Sequence, residues 1–424
     1  MDGLGEICCM KKLLFSIALF FIALIYSNQL LAQLDLEMQI RPRAEFRNGY
    51  KMPRNFHSDP AFFIDQRSRL NAGLFLDSIE VYISLQDVRT WGDENQLQGN
   101  PSVGLHEAWV KWKVSRSFAL KIGRQELAYD DQRLLGSVDW AQQARSHDAL
   151  VMQWRPKQWQ IDLGGAFNQS NASLFGTLYH QQNYKVLSYL WVHRNIGKDF
   201  NFSVTAISDG FQKYDSLATP VLFRHTAGSH LNYKFKNLKL KGGAWYQFGE
   251  DANHKEISAF MLNLEAAYAL KQFTFTVGND YLSGAIQTKQ GLGTNYAFST
   301  LYATNHKFYG HMDYFSNIPN DTKNHGLHDY FFKVGWKKGD WSAGLDVHYF
   351  LLAKQLYDKG ELGTEIDLST GYKINAFVQI TAGYSIMNPA PLMVQIKGGT
   401  DDKLSHWAWI MLNVQPKWSF KKEK

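Results

Sequence analysis

From Gln33 onward the chain alternates apolar and polar side chains at a period of two nearly everywhere outside its long connections. No stretch in that span approaches the run of about 20 apolar residues that a membrane helix needs. Aromatic residues make up 15% of the chain, yet its mean hydropathy is −0.33. Many aromatics without apolar runs suit strands that show only every second side chain to lipid. About eighteen such strands can be read off, an even number as bacterial barrels require. Tight turns alternate with long connections at 49–60, 91–102, 128–145, 169–182, 210–220, 283–326 and 389–402. The fold class expected is all-β, a transmembrane antiparallel up-and-down β-barrel. A soluble propeller or sandwich would show shorter strands, no such alternation of loop lengths and no secretion signal.

The signal is legible at the N-terminus. Met10-Lys11-Lys12 precedes the apolar run LLFSIALFFIALIYS, and Ala32 offers a small residue before a cut at Gln33. Residues 1–32 are therefore assigned to an N-terminal extension and secretion signal, and 33–424 to one outer-membrane barrel domain in a Gram-negative bacterium. Cys8 and Cys9 would leave with the signal, so neither a disulfide framework nor a Cys-ligated metal is expected. The segment removed holds Asp2, Glu6, Lys11 and Lys12, so the net charge of +6 is retained.

Parity assigns the faces. In the first strand Gln39, Arg41, Arg43, Glu45 and Arg47 oppose Ile40, Pro42, Ala44 and Phe46. A guanidinium on the lipid side near the midplane costs about 2–4 kcal/mol, so the arginine face is luminal. The second strand repeats the pattern with Asp65, Arg67 and Arg69, and the fourth with Glu107, Lys111 and Lys113. Basic rings favour anions in pores, and a guanidinium fork fits a carboxylate. Glu45, Asp65 and Glu107 are read as acidic spacers that keep an anion from binding too tightly to leave. A mixed-charge lumen that serves only hydration is the alternative.

Between two amphipathic strands, Leu120 to Asp148 reads LKIGRQELAYDDQRLLGSVDWAQQARSHD. Arg124, Arg133 and Arg145 share this stretch with Asp130, Asp131, Asp139 and Asp148, a mixture that suits a cross-linked loop. Its GRQEL strand end, QRLL and DWAQQARSHD, together with Leu85-Gln86-Asp87-Val88-Arg89-Thr90-Trp91-Gly92, resembles the signature of the alginate export family of outer-membrane barrels. That family more often shows an aromatic before the final Asp, where this chain has His147. The resemblance implies transport of alginate or a similar uronate polymer. It also adds Arg89 and Arg124 to the anion-binding candidates, although parity breaks near both. Arg133 and Arg145 would either brace the loop or touch cargo. The connection 283–326 is expected to fold into the lumen as a constriction, with a mobile outer lid as the other reading.

Trp109, Trp112, Trp154, Trp159, Trp191, Trp245, Trp336, Trp341, Trp407 and Trp409 are expected to form interfacial girdles, while Trp91 or Trp140 could stack on sugar. His306 and His311 lack a nucleophile-elbow motif, so no catalytic residue, cofactor or metal is expected, and the chain is not read as an enzyme. The function expected is passive, anion-selective conduction of an acidic polysaccharide or oligosaccharide by a monomer. Outer-membrane lipid, lipopolysaccharide and periplasmic export proteins are the expected partners; nucleic acid is not. The alternatives are a less selective porin for small organic anions and, from another class, a lipid-modifying barrel enzyme.

Overall fold

A computed structural model describes residues 33–421, apart from 98, 100–101, 180–182, 214–219, 253, 286–292, 357–358 and 401–402. The secretion signal expected over 1–32 lies outside them. The first strands are β1 (Gln33–Asn48), β2 (Ala61–Phe75), β3 (Ile79–Thr90), β4 (Gly104–Lys113), β5 (Phe118–Gln125) and β6 (His147–Trp154). Next come β7 (Trp159–Phe167), β8 (Val186–Ile196), β9 (Phe200–Gln212), β10 (Val221–Phe235), β11 (Leu238–Glu250), β12 (Glu256–Leu270) and β13 (Phe273–Leu282). The last are β14 (Leu327–Lys338), β15 (Trp341–Leu356), β16 (Lys359–Lys373), β17 (Val378–Pro389), β18 (Ser405–Val414) and β19 (Lys417–Lys421), with one short helix, α1 (Pro391–Lys397).

From β1 to β18 each strand pairs antiparallel with its sequence neighbours, and β1 closes the circle by pairing with β2 on one side and with β18 and β19 on the other. The pairings Glu37 with Lys417 and Ile40 with Val414 share one register, so β18 and β19 are one spanning strand. Pro416, which lacks an N–H to donate, interrupts its ladder. Eighteen spanning strands result, as the alternation predicts. Closure leaves no unpaired edge in lipid, where a bare N–H or C=O has no partner. Several tight turns use left-handed backbone at Lys157, Lys236 and Lys271, each with φ close to +54°, which suits a two-residue hairpin.

The faces follow the parity reading in β1, where Gln39, Arg41, Arg43 and Glu45 are buried inside while Met38, Ile40 and Phe46 lie exposed outside. Trp112, Trp154 and Trp341 lie on the exposed outer surface, as a girdle requires. Other tryptophans depart from that expectation. Trp191, Trp245 and Trp407 are buried inside the barrel, and Trp109 stacks on luminal Tyr82 with ring centroids 5.3 Å apart. Each of these four shares its parity with inward polar neighbours on its own strand, so the period, not residue type, decides its face.

The apolar core is inside the lumen. Two loops on the long-loop side, L3 (126–146) and L7 (283–326), turn inward and pack with each other, with inward wall residues such as Met261 and Phe350, and with Leu392, Met393 and Ile396 of α1. Leu127, Leu134 and Leu135 from L3 pack with Phe298, Tyr309, Met312, Tyr314, Phe315 and Ile318 from L7, all 6% exposed or less. For L7 this is the inward fold favoured from its length, seen at its described residues.

Candidate functional site

Charge pulls L3 into the barrel. Its carboxylate Asp139 meets the arginines of β1 and β2: Arg67 donates to it at 2.9 Å and Arg41 at 3.4 Å. The same guanidiniums cap L3 carbonyls, Arg41 at Asp139 O (3.0 Å), Arg43 at Trp140 O (2.9 Å) and Arg67 at Gln142 O (3.4 Å). At the other end of L3, Arg133 donates to Asp280 on β13 at 2.6 Å and to Asp131 at 2.9 Å. Burial disfavours the Arg133 charge, but Asp280 and Asp131 outweigh it and hold the group more firmly protonated than usual. Tyr129 closes the span to the opposite wall by donating to Asp162 and packing on Trp191.

L7 locks onto L3. Leu135 and Tyr302 form a parallel bridge, and Thr304 donates its hydroxyl to Gln132 at 2.8 Å. Trp140 is flanked by the Arg43 guanidinium 4.3 Å from its ring centre and by His306 stacked at 4.5 Å. Trp407 and Trp409 also meet the ring edge-on, at 5.8 and 4.9 Å between centroids, so the Trp140 ring is engaged within the protein. The backbone of His311 donates to Asp367 on β16 and that of Met312 to Glu365. Gly310, just before them, has φ +79°, and a Cβ there would lie 2.6 Å from the Glu365 carboxylate. His306 and Tyr50 both bond Asp313. Burial alone would raise the Asp313 carboxyl, but these partners hold it below the usual range. Burial pushes the His311 imidazole down, against the pull of Asp367 and Asp346.

The residues singled out from sequence fall into three places. Arg41, Arg43, Arg67 and Arg133 lie in the lumen but are 1–4% exposed and fully engaged by L3 and its neighbours. Arg47 pairs with Glu45 at 2.8 Å and covers Tyr50, while Arg145 donates to Ala303 O. Burial lowers the Arg145 pKa from its ordinary value. Glu45, fully buried, joins Arg43, Arg47 and Trp407; Asp65 accepts from Thr90, and Glu107 from Trp109. Arg69 and Lys111 line the luminal wall, the former forked onto Gln86 and the latter 3.8 Å from Glu80.

Arg89 and Arg124 stand apart. Arg89 pairs across β2 with Gln66, and Arg124 pairs across β6 with Asp148, on the outward parity of those strands. Each makes a local ion pair there, Arg89 with Asp87 at 2.6 Å and Arg124 with Asp148 at 3.2 Å. Their place at the outer ends of the strands lies away from the costly midplane. Neither lines the lumen.

Other cations that were not among the sequence candidates line the lumen. A cavity of about 550 Å³ lies between the β7–β11 wall and the inner tips of the loops, lined among others by Asp130, Trp191, His193, Lys239, Lys241 and Lys307. Lys241 is paired with Glu265 at 2.6 Å. Lys307 donates to the Asp131 carbonyl, and Lys121 on β5 sits 4.0 Å over the Trp109 ring. Burial lowers the Lys307 pKa. Among the described residues, Arg69, Lys121, Lys239 and Lys307 make no ion pair with a carboxylate. Their signal in the sequence is the inward parity of Lys121 and Lys239; Lys307 needed the path of L7.

An even-stranded closed barrel with an apolar outer belt, short turns at one end and long loops at the other is an outer-membrane barrel of the channel type. This chain belongs to the alginate export family, whose model, described as "Alginate export", matches residues 32–324. No curated protein matches it by sequence. Solved structures share the fold at low identity. Pseudomonas aeruginosa OpdK with vanillate aligns at 10% identity and TM-score 0.61, over 91% of this chain and 99% of that one. Acinetobacter baumannii OccAB1 aligns at 11% and 0.61 over 91% and 96%, and P. aeruginosa OccD3 (OpdP) at 11% and 0.62 over 91% of each. The protein is accordingly an outer-membrane β-barrel of a Gram-negative bacterium.

Proposed function

We propose that this barrel passively conducts an acidic oligosaccharide or polysaccharide, such as a uronate polymer. The observation that carries the reading is a group of luminal cations left without a carboxylate, among them Arg69, Lys121, Lys239 and Lys307. A uronate offers each of them a carboxylate, and the sugar ring offers an apolar face to aromatics such as Trp109 and Trp191 on the same inner wall. The deeper arginines Arg41, Arg43, Arg67 and Arg133 serve by holding the constriction in shape. Monomeric action, with lipopolysaccharide around the belt and export proteins at the periplasmic turns, belongs to the same proposal, as does conduction without catalysis.

A second reading, a porin for small organic anions, is favoured by how far L3 and L7 fill the lumen. OpdK was solved with vanillate, a small aromatic carboxylate, on a similar barrel.

Changing Arg69, Lys121, Lys239 and Lys307 together to Gln tests the carrying observation. In a salt gradient the reversal potential should move toward cation preference, and oligouronates should block the current several-fold less well. An unchanged reversal potential with unchanged block would refute the role given to these cations. Block by small carboxylates alone would favour the second reading.

A further inference from the structure

His106, Glu107 and Glu126 bring an imidazole and two carboxylates together away from the loop core, with one donor atom from each lying within 4.8 Å of the others. Simple alternation would put His106 and Glu107 on opposite faces of β4. A bulge prevents this: Ser84 on β3 pairs with Glu107 and Leu85 with Leu105, leaving His106 outside the ladder. Both side chains then turn inward, and His106 is only 3% exposed. Glu126, the residue after β5, completes the set. Its Oε1 lies 3.0 Å from His106 Nε2, and its backbone N–H donates to Glu107 Oε2 at 3.0 Å.

Charge supplies an independent observation. Among the described residues, neither glutamate has a lysine or arginine at ion-pair distance. The neighbouring cations are diverted, Lys121 to the Trp109 ring and Arg69 to Gln86. Two carboxylates held this close repel each other unless a proton or cation sits between them. One nitrogen and two oxygen donors suit a borderline divalent ion of the zinc class, whereas calcium and magnesium prefer all-oxygen sites.

We propose that His106, Glu107 and Glu126 bind a divalent transition-metal ion that clamps the β4 wall to the root of L3. Glu126 directly precedes Leu127, which is 2% exposed and begins the buried part of L3. The ion therefore fixes the segment that narrows the lumen. The Glu126 side chain, 29% exposed, keeps the site in reach of water and leaves room for a fourth ligand.

The test uses the folded barrel in detergent, stripped with chelator and titrated calorimetrically with Zn²⁺, then loaded with Co²⁺ for visible absorption. One Zn²⁺ per barrel and Co²⁺ bands of four- or five-coordinate intensity are expected. His106→Ala and Glu126→Gln should each weaken binding more than about 10-fold, the lower end of the loss caused by removing even an outer-shell partner. His254→Ala, on an exposed turn, should leave it unchanged. Heat-dependent gel mobility verifies folding of each variant, with His106→Gln replacing His106→Ala should the latter not fold. Failure of the wild-type barrel to take up Zn²⁺ overturns the proposal, as does stoichiometric uptake that survives both substitutions.

Discussion

Arg133 shows what a luminal arginine does in this barrel. Its guanidinium spans Asp280 on the wall and Asp131 in its own loop, and all three groups are largely out of water. Removing one member of such a set strands the other charges, at a cost of about 3–5 kcal/mol. Arg133→Ala should therefore lower the unfolding temperature and expose L3 to limited proteolysis. An unchanged melting profile would show that L3 does not depend on this brace. Arg41, Arg43 and Arg67 follow the same logic. Their luminal side was legible in the sequence, because lipid forbids them the other face, but their partners in L3 were not: Asp139 lies 98 positions from Arg41, Trp140 97 from Arg43 and Gln142 75 from Arg67. Arg89 and Arg124 were chosen by motif against parity, and parity matches their outward position. The bulge at His106 left no mark in the sequence, because an extra residue in one strand is visible only against its partner.

L3 and L7 behave as one element built from two segments. L3 announced itself by its charge and L7 by its length, yet their interlocking depends on pairings such as Leu135 with Tyr302 that no local pattern encodes. The interlock should respond to acid. His311 has a depressed pKa in the folded protein, so below its ordinary value of about 6.5 the unfolded loop binds protons that the folded one does not, and stability falls. The Asp313 carboxyl is also depressed. Its contribution is complete above the ordinary carboxylate value and is lost as the pH drops below about 4 toward the folded value. L7 docking is therefore predicted to be intact at pH 7, to weaken below about pH 6.5 and to weaken further below about pH 4. Tryptophan fluorescence, in which Trp140 stacked on His306 reports the contact, and open-channel noise should both change over this range. Constant signals from pH 7 to pH 3.5 would mean that these groups do not hold the loop.

At the scale of the whole molecule, the eighteen-strand barrel was the most legible feature. Lipid enforces the period of two on one face of every strand, and the need for closure enforces an even count, so the sequence carries the architecture redundantly. What the lumen contains is written in scattered contacts between distant segments and had to be seen. On the proposed reading, the lumen narrowed by L3 and L7 and the cations Arg69, Lys121, Lys239 and Lys307, which pair with no carboxylate, form a passage for anions. Single-channel recording of the refolded chain from Gln33 onward, in a planar bilayer, tests that passage most directly when oligouronates are titrated against neutral oligosaccharides of the same length. Anion preference with current block by the uronates alone is the predicted result; equal indifference to both sugars, or no conductance at all, would contradict it.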